Sequence, residues 1–459
     1  MPLLEAPRPP VEEISLSQEG SILKNASFMS LWWSQVLSQL ADRIIFVVFV
    51  AYITHLYGGD ERFTSYLYVA FTIPAILLTA VAGVFVDRWP RRLTLVVINV
   101  MRGLLVFALP QMAEAGLAYL YVLAFLLSSI TQFFVPAESA TIPTIVPKSQ
   151  LLSANSLFTT TMMASVIVGF ALGDPLIEWF GLEQVHWALS LLFMGAAACL
   201  VGLRLDPHKA LIERVESTKP RTFSESMQRF SAELREGFSY IREHSAVWHA
   251  MAKLALLFSA VVAMCILSIT FSKNFLYVDA SVASRKFAYI VASSGLGMAL
   301  GAMLVTTALK RVPAPLTVYS GMLLLTFGLV GMAFVPQCFT DLASSFATFT
   351  MPNGLAPLAL TDRMAWTYFA SIVMGVGAAT VAIPLQAFLH DCIPEAIRGK
   401  VLGVQFTMLS TSSTLPALIA GLSSHFMGVQ AMMLCLALPF ALWGGYGFYL
   451  ILFKKMRAF

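Results

Sequence analysis

From Thr64 to Val86 the chain carries no charged residue. An α-helix rises about 1.5 Å per residue, so about 20 such residues cross the roughly 30 Å hydrocarbon core of a bilayer. Apolar runs of that length recur along the chain, and they constrain the fold more than any other feature. Of the 459 residues, 58% are hydrophobic and 12% are charged. Soluble domains carry about 25% charged residues, and none could hide this much apolar surface. The runs are continuous rather than alternating, which excludes a membrane β-barrel. High hydrophobicity excludes disorder. Five cysteines, four of them (Cys199, Cys265, Cys392 and Cys435) in or beside apolar runs, are too few for a disulfide framework.

Twelve spans are expected, at residues 28–56, 64–86, 93–113, 117–141, 153–179, 184–203, 249–275, 287–308, 316–337, 366–390, 401–424 and 429–453. The segment before them holds Glu5, Glu12, Glu13 and Glu19 and no apolar signal-peptide core, so the first span is expected to enter the membrane uncleaved. With the N-terminus in the cytoplasm, 21 of the 29 Lys and Arg residues fall in cytoplasmic segments. Four (Arg62, Arg285, Lys286, Arg363) fall in outer loops and four (Arg43, Arg102, Lys253, Lys273) inside spans. That is the positive-inside bias of a multi-pass protein with both termini cytoplasmic, and an inner, cytoplasmic membrane is the expected location. It also accounts for the net charge of +4 without a nucleic-acid partner.

The expected organisation is a cytoplasmic tail (1–26), a six-helix half (27–203), a cytoplasmic linker (204–248), a second six-helix half (249–453) and a short tail (454–459). Within the linker, Phe230, Leu234, Phe238 and Ile241 recur at helical spacing over Ser224–His244, which predicts an amphipathic helix on the inner membrane face. The stretch 338–365 forms an extended outer loop, either a lid or a plain surface loop.

The halves resemble each other. FFVPAESATIPTIVP (133–147) and VAIPLQAFLHDCIP (381–394) each place a proline inside a helix (Pro136, Pro384) and another in the following turn (Pro147, Pro394). Two similarly oriented halves imply a pseudo-two-fold axis along the membrane normal, with a site between them.

Between the second and third spans the sequence reads Gly83-Val-Phe-Val-Asp87-Arg88-Trp-Pro-Arg91-Arg92. It resembles the loop signature of the major facilitator superfamily, G-x-x-x-D-R-x-x-R-R, at every named position. The resemblance implies an all-α membrane fold of twelve transmembrane helices in two pseudo-symmetric halves. It also implies that Gly83, Asp87, Arg88, Arg91 and Arg92 form a cytoplasmic gate loop latching the halves. FFVPAESATIPTIVPKSQLLSANSL (133–157), Arg102 in the third span and RGKVLGVQ (398–405) look like the macrolide-efflux-like exporters, drug:proton antiporters of the third kind. Glu138 stands where that branch commonly has Arg, and span 5 has Gly169, Gly173 and Pro175 but not the full G-P-x-x-G-G run.

No G-x-x-x-x-G-K-[ST] phosphate loop, paired metal-binding His spacing or nucleophile elbow occurs, so neither ATP, a cofactor, a metal site nor an enzymatic activity is expected. An ion gradient is the remaining energy source. One charge crossing 100 mV releases about 2.3 kcal/mol, enough for roughly a fortyfold gradient of a neutral substrate.

Intramembrane polar and ionisable residues mark the site, because burying them is costly. Gln35, Ser38, Gln39 and Asp42 line one face of the first span at i, i+3, i+4 and i+7. Asp42 lies mid-span, where desolvation opposes a bare charge and suits a proton carrier. An ion pair that only orders the bundle is the alternative. Arg43 points about 100° away around the helix and serves another partner. Asn99 and Arg102 share a face of span 3, and Arg102 can neutralise Asp42 or Glu138. Gln132 and Glu138 come from span 4 and Gln386 from span 10, with His390 and Asp391 at the boundary as gate or surface. Met162, Met163, Phe258, Met264 and Phe271 are candidates for an apolar wall, or else ordinary packing.

The reading is a secondary active transporter, a proton-coupled exporter of an amphipathic small molecule working by alternating access. Its partners are the lipid bilayer, that substrate and protons. Movement of a lysophospholipid or other lipid-like molecule between leaflets, nutrient symport, and a non-transporting receptor or scaffold are the alternatives.

Overall fold

The computed structural model describes residues 22–57, 61–86, 89–203, 223–276, 280–338, 362–394, 397–405, 407–409 and 427–454, with the single residues 412 and 419. Every regular element among the described residues is helical. The first half contains α1 (Ala26–Tyr57), α2 (Glu61–Val86), α3 (Arg91–Phe107), α4 (Leu109–Ala115), α5 (Leu117–Ile145), α6 (Leu151–Phe180) and α7 (Val185–Val201). The linker contributes α8 (Phe223–Glu243). The second half contains α9 (Ser245–Phe271), α10 (Ala280–Thr306), α11 (Ala314–Cys338), α12 (Asp362–Cys392) and α13 (Val429–Lys454).

The architecture is the expected all-α membrane bundle in two halves. Among the described residues, eight helices are individually long and apolar enough to cross a bilayer. The third span differs from the single helix expected over 93–113: α3 and α4 meet at a bend of 47°. Pro110, in the first turn of α4, has no N–H to continue the hydrogen-bond ladder of α3. The span expected at 401–424, the outer loop 338–365 and the N-terminal tail lie mostly outside the described residues.

Pro136 stands inside α5 and Pro384 inside α12, while Pro147 and Pro394 follow those helices. Gly181 (φ 77°) ends α6 and Gly428 (φ 81°) precedes α13, left-handed conformations that only glycine adopts without strain. Asn25 accepts from the Phe28 amide at 3.1 Å, capping α1, and donates to the Ile145 carbonyl at 2.8 Å, tying α1 to the end of α5.

Arg91 and Arg92 open α3 after the α2–α3 connection, and Lys310 and Arg311 lie in a 3-10 turn between α10 and α11; the end of the bundle carrying these connections is called here the basic end. In the first half α1 packs on α6 and α7, and α5 on α2 and α3; in the second, α12 packs between α10 and α11. Gly297 and Gly301 bring α10 onto the backbone of α12 at Ile372 and Val376, as the G-x-x-x-G spacing suggests. Away from the basic end the halves share a core: Ile269, Phe287, Ala288 and Ala292 of the second half join Val47, Phe49, Phe170 and Ile177 of the first. Toward the basic end, Phe28, Leu95, Ile98, Phe134 and Phe158 form a cluster built from the first half alone.

The linker helix is docked on protein as well as amphipathic. Ile241 is buried in the second-half core, Tyr240 Oη donates to the Cys392 carbonyl at 3.4 Å, and Lys400 Nζ donates to Glu236 at 2.6 Å. A Cβ at position 237 would collide with the Lys400 carbonyl, so Gly237 permits the approach. Phe238 remains exposed.

Candidate functional site

Asp42 stands at the middle of α1, and the packing of α1 against α7 and α3 against α7 brings Arg102 to meet it. Arg102 is 1% exposed and pairs with the Asp42 carboxylate, whose side chain is 29% exposed. Of the two partners open to Arg102, Asp42 is the one it bonds. Its guanidinium carbon lies 4.4 Å from the centroid of Phe193 and 6.0 Å from that of Phe134, so aromatic faces supply the rest of its shell. Arg102 Nε and Nη1 are buried and make no hydrogen bond.

Glu138 lies one helical turn beyond Phe134 on α5, within electrostatic reach of Arg102. It is 7% exposed, and its Oε1 receives no hydrogen bond. Below this group Ser38 donates to the Ser34 carbonyl at 2.6 Å and also lies 3.1 Å from Asn99 Oδ1, while Asn99 donates to the Leu95 carbonyl at 3.1 Å. The structure therefore assembles Ser38, Asp42, Asn99, Arg102 and Glu138 into one buried polar cluster inside the first half.

The other proposed site residues separate from it. Gln35 donates to the Phe158 carbonyl of α6 at 3.4 Å, so the polar face of α1 divides between α3 and α6. Gln39 is half-buried, and Gln132 donates to the Ser128 carbonyl of its own helix at 3.1 Å. Gln386 is half-buried on α12 in the other half, and His390 and Asp391 are exposed at its end. Met264 and Phe271 are core residues, whereas Met162 and Phe258 are exposed. Of the loop signature, Asp87 and Arg88 lie outside the described residues, and the surroundings of Gly83 are not described. Arg91 donates to the Ala140 carbonyl at 2.8 Å and Arg92 to the Val201 carbonyl, both near the ends of first-half helices, where cations are favoured.

Two further charged groups, Asp174, which the sequence reading passed over, and Lys253, which it placed inside a span without a role, are buried in the bundle. Asp174, on α6 between Gly173 and Pro175, is 1% exposed. It accepts from Tyr289 at 3.2 Å and pairs with Arg285 at 3.4 Å, both on α10, so it bridges the halves. The signal was available: it is a carboxylate inside an apolar run, one turn before Glu178. Lys253 is buried in α9, with Nζ 3.3 Å from Tyr319 Oη and 5.6 Å from the Trp443 ring centroid. No group of three or more potential metal ligands occurs among the described residues.

A family model for the Major Facilitator Superfamily matches residues 31–362. An uncharacterized MFS-type transporter of Bacillus subtilis (strain 168), YfiS, is 25% identical over 411 residues, covering 89% of each chain. The multidrug efflux pump Tap of Mycolicibacterium fortuitum is 22% identical over 400 residues, covering 84% of this chain and 87% of that protein. Among solved structures, the nucleoside transporter NupG superposes with a TM-score of 0.64 at 11% identity, covering 93% of this chain and 100% of the other.

Proposed function

The chain belongs to the Major Facilitator Superfamily of transporters, and from that premise we propose that it exports an amphipathic small molecule in exchange for protons. One observation carries the proton part. Arg102 is neutralised by Asp42, and Glu138 remains beside them with a buried oxygen that accepts from nothing. A buried charge without donors is costly, so such a carboxyl is suited to taking and releasing a proton. Glu138 is the exchanging acid in this reading. Asp42 holds Arg102, and Ser38 with Asn99 holds the α1–α3 contact that places them.

The shared core away from the basic end supports the mechanism. A transporter that alternates must close one end while the other is free to open. Phe287, Ala288 and the Asp174–Arg285 bridge are the closed end in this reading, and the separate first-half cluster lies at the end that parts. The likeness to the multidrug efflux pump Tap supports the direction of transport.

Efflux of lipophilic dyes and macrolides from energised cells, with and without a protonophore, tests the reading. Protonophore-sensitive efflux that is lost in Glu138→Gln is expected. Absence of efflux for every compound contradicts the exporter.

A further inference from the structure

Arg43 is adjacent to Asp42 in sequence but points elsewhere. Its stem lies against Gly169 of α6, where a Cβ would collide with it. Its charge lies within electrostatic reach of Asp42 first and then of Cys265 of α9, a second-half residue packed against the core that joins the halves. Arg43 is thus a half-buried guanidinium, mid-helix, at the meeting of α1, α6 and the second half.

A guanidinium offers five N–H donors and keeps its charge. The Nε of Arg43 is fully buried and makes no hydrogen bond. The carboxylate nearest in sequence, Asp42, is already taken by Arg102. The other carboxyl groups well inside spans are Glu138, beside Arg102, and Asp174, held by Arg285 and Tyr289. The second half has none inside a span: from Ser245 to the C-terminus, Asp and Glu occur only at Asp279, Asp341, Asp362, Asp391 and Glu395, outside spans or at their ends. The segment 397–428, including its undescribed part, contains neither. One turn further along α1, Phe46 meets Phe71, Phe170 and Phe287 with ring centroids 6.1–6.5 Å apart. A guanidinium whose buried Nε has no acceptor, one helical turn from aromatic rings, is complementary to one kind of molecule.

We propose that Arg43 is the anchor for an anionic headgroup, so that the substrate is an amphipathic anion: a carboxylate, sulfonate or phosphate on a lipophilic body. Planar, bidentate recognition of such groups is what arginine does best, and Phe46, half-buried one turn along α1, lies on the side of the apolar body. The inference rests on the transporter reading for its word substrate, but the site itself does not. The headgroup can come from a bilayer lysolipid or from a soluble organic anion, and the chemistry at Arg43 is the same.

The test uses the full chain in nanodiscs of neutral phosphatidylcholine. The probes are anilinonaphthalene sulfonate and its uncharged parent, phenylnaphthylamine, which share an aromatic body. Saturable binding of the sulfonate about tenfold tighter than the parent is expected, the worth of one charge-assisted hydrogen bond. Arg43→Gln should abolish that preference, and Arg43→Lys should keep part of it. Equal affinity of the two probes for the native protein overturns the proposal, as does a preference unchanged in Arg43→Gln. If Arg43→Gln fails to fold, the native preference and the Arg43→Lys value decide. Displacement of the sulfonate by lysophosphatidylglycerol supports a lipid source, and displacement by taurocholate a soluble one. Equal displacement by cationic rhodamine overturns the anion site. Arg43-dependent binding without flux in liposomes keeps the site and removes the transport reading. Flux without any sulfonate preference does the reverse.

Discussion

Asp174 of α6 and Arg285 of α10 meet at 3.4 Å across the junction of the two halves, with Tyr289 donating to the same carboxylate at 3.2 Å. Asp174 is 1% exposed and Arg285 is 19% exposed. Removing one member of a buried pair leaves the other charge uncompensated, at a cost of about 3–5 kcal/mol, and the partly solvated arginine places this pair at the lower end. Asp174→Asn should therefore loosen that end of the bundle. A cysteine introduced at Ala288 should react with a thiol reagent at least about tenfold faster in that background. Unchanged labelling would show that the bridge does not hold the halves.

The Arg102–Asp42 pair predicts a separation of stability from coupling. Arg102 is 1% exposed and has no other anion bonded to it, so Asp42→Asn should lower thermal stability in detergent, by up to about 3–5 kcal/mol. The double variant Asp42→Leu with Arg102→Met should melt above either single variant, because it removes both charges. Glu138→Gln should melt close to the native protein, since its Oε1 has no hydrogen bond to lose. A Glu138→Gln protein as unstable as Asp42→Asn would make Glu138 a structural residue.

Gly169 controls the place of Arg43. A Cβ there would overlap the Arg43 stem, and the backbone carbonyl of Leu40 lies close behind. Gly169→Ala should reduce affinity for the anionic probe severalfold while leaving the uncharged parent unchanged. Equal loss for both probes would indicate general disruption of the α1–α6 contact.

The linker helix offers a contrast between charge and shape. Glu236 and Lys400 are 56% and 30% exposed, and a solvated pair contributes about 0–1 kcal/mol. Lys400→Gln should leave amide exchange in residues 234–243 nearly unchanged. Gly237→Val, which meets the Lys400 backbone, should speed that exchange strongly. The reverse order would mean that the ion pair holds α8.

The fold was legible because its signals are cumulative. Continuous apolar runs, basic loops and the repeated prolines all point to one architecture, and the loop signature from Gly83 to Arg92 narrows it further. The bend at Pro110 was missed because the span was drawn by length and apolar content through the proline. The cluster was legible in its members but not its pairing: helical spacing puts Gln35, Ser38, Gln39 and Asp42 on one broad face, yet that face divides between α3 and α6. Which acid Arg102 chooses depends on how α1, α3 and α5 rotate, and no spacing rule encodes that. Asp174 was passed over because Arg285 reads as a loop charge, and the two are far apart in sequence.

Proton coupling through Glu138 is the central claim, and transport in liposomes tests it most directly. With a pH gradient imposed, native protein should drive uphill movement of a transported dye, and it should also exchange labelled for unlabelled dye without a gradient. Glu138→Gln should keep the exchange and lose the gradient-driven movement. Gradient-driven transport that survives in Glu138→Gln at the native rate would contradict the account.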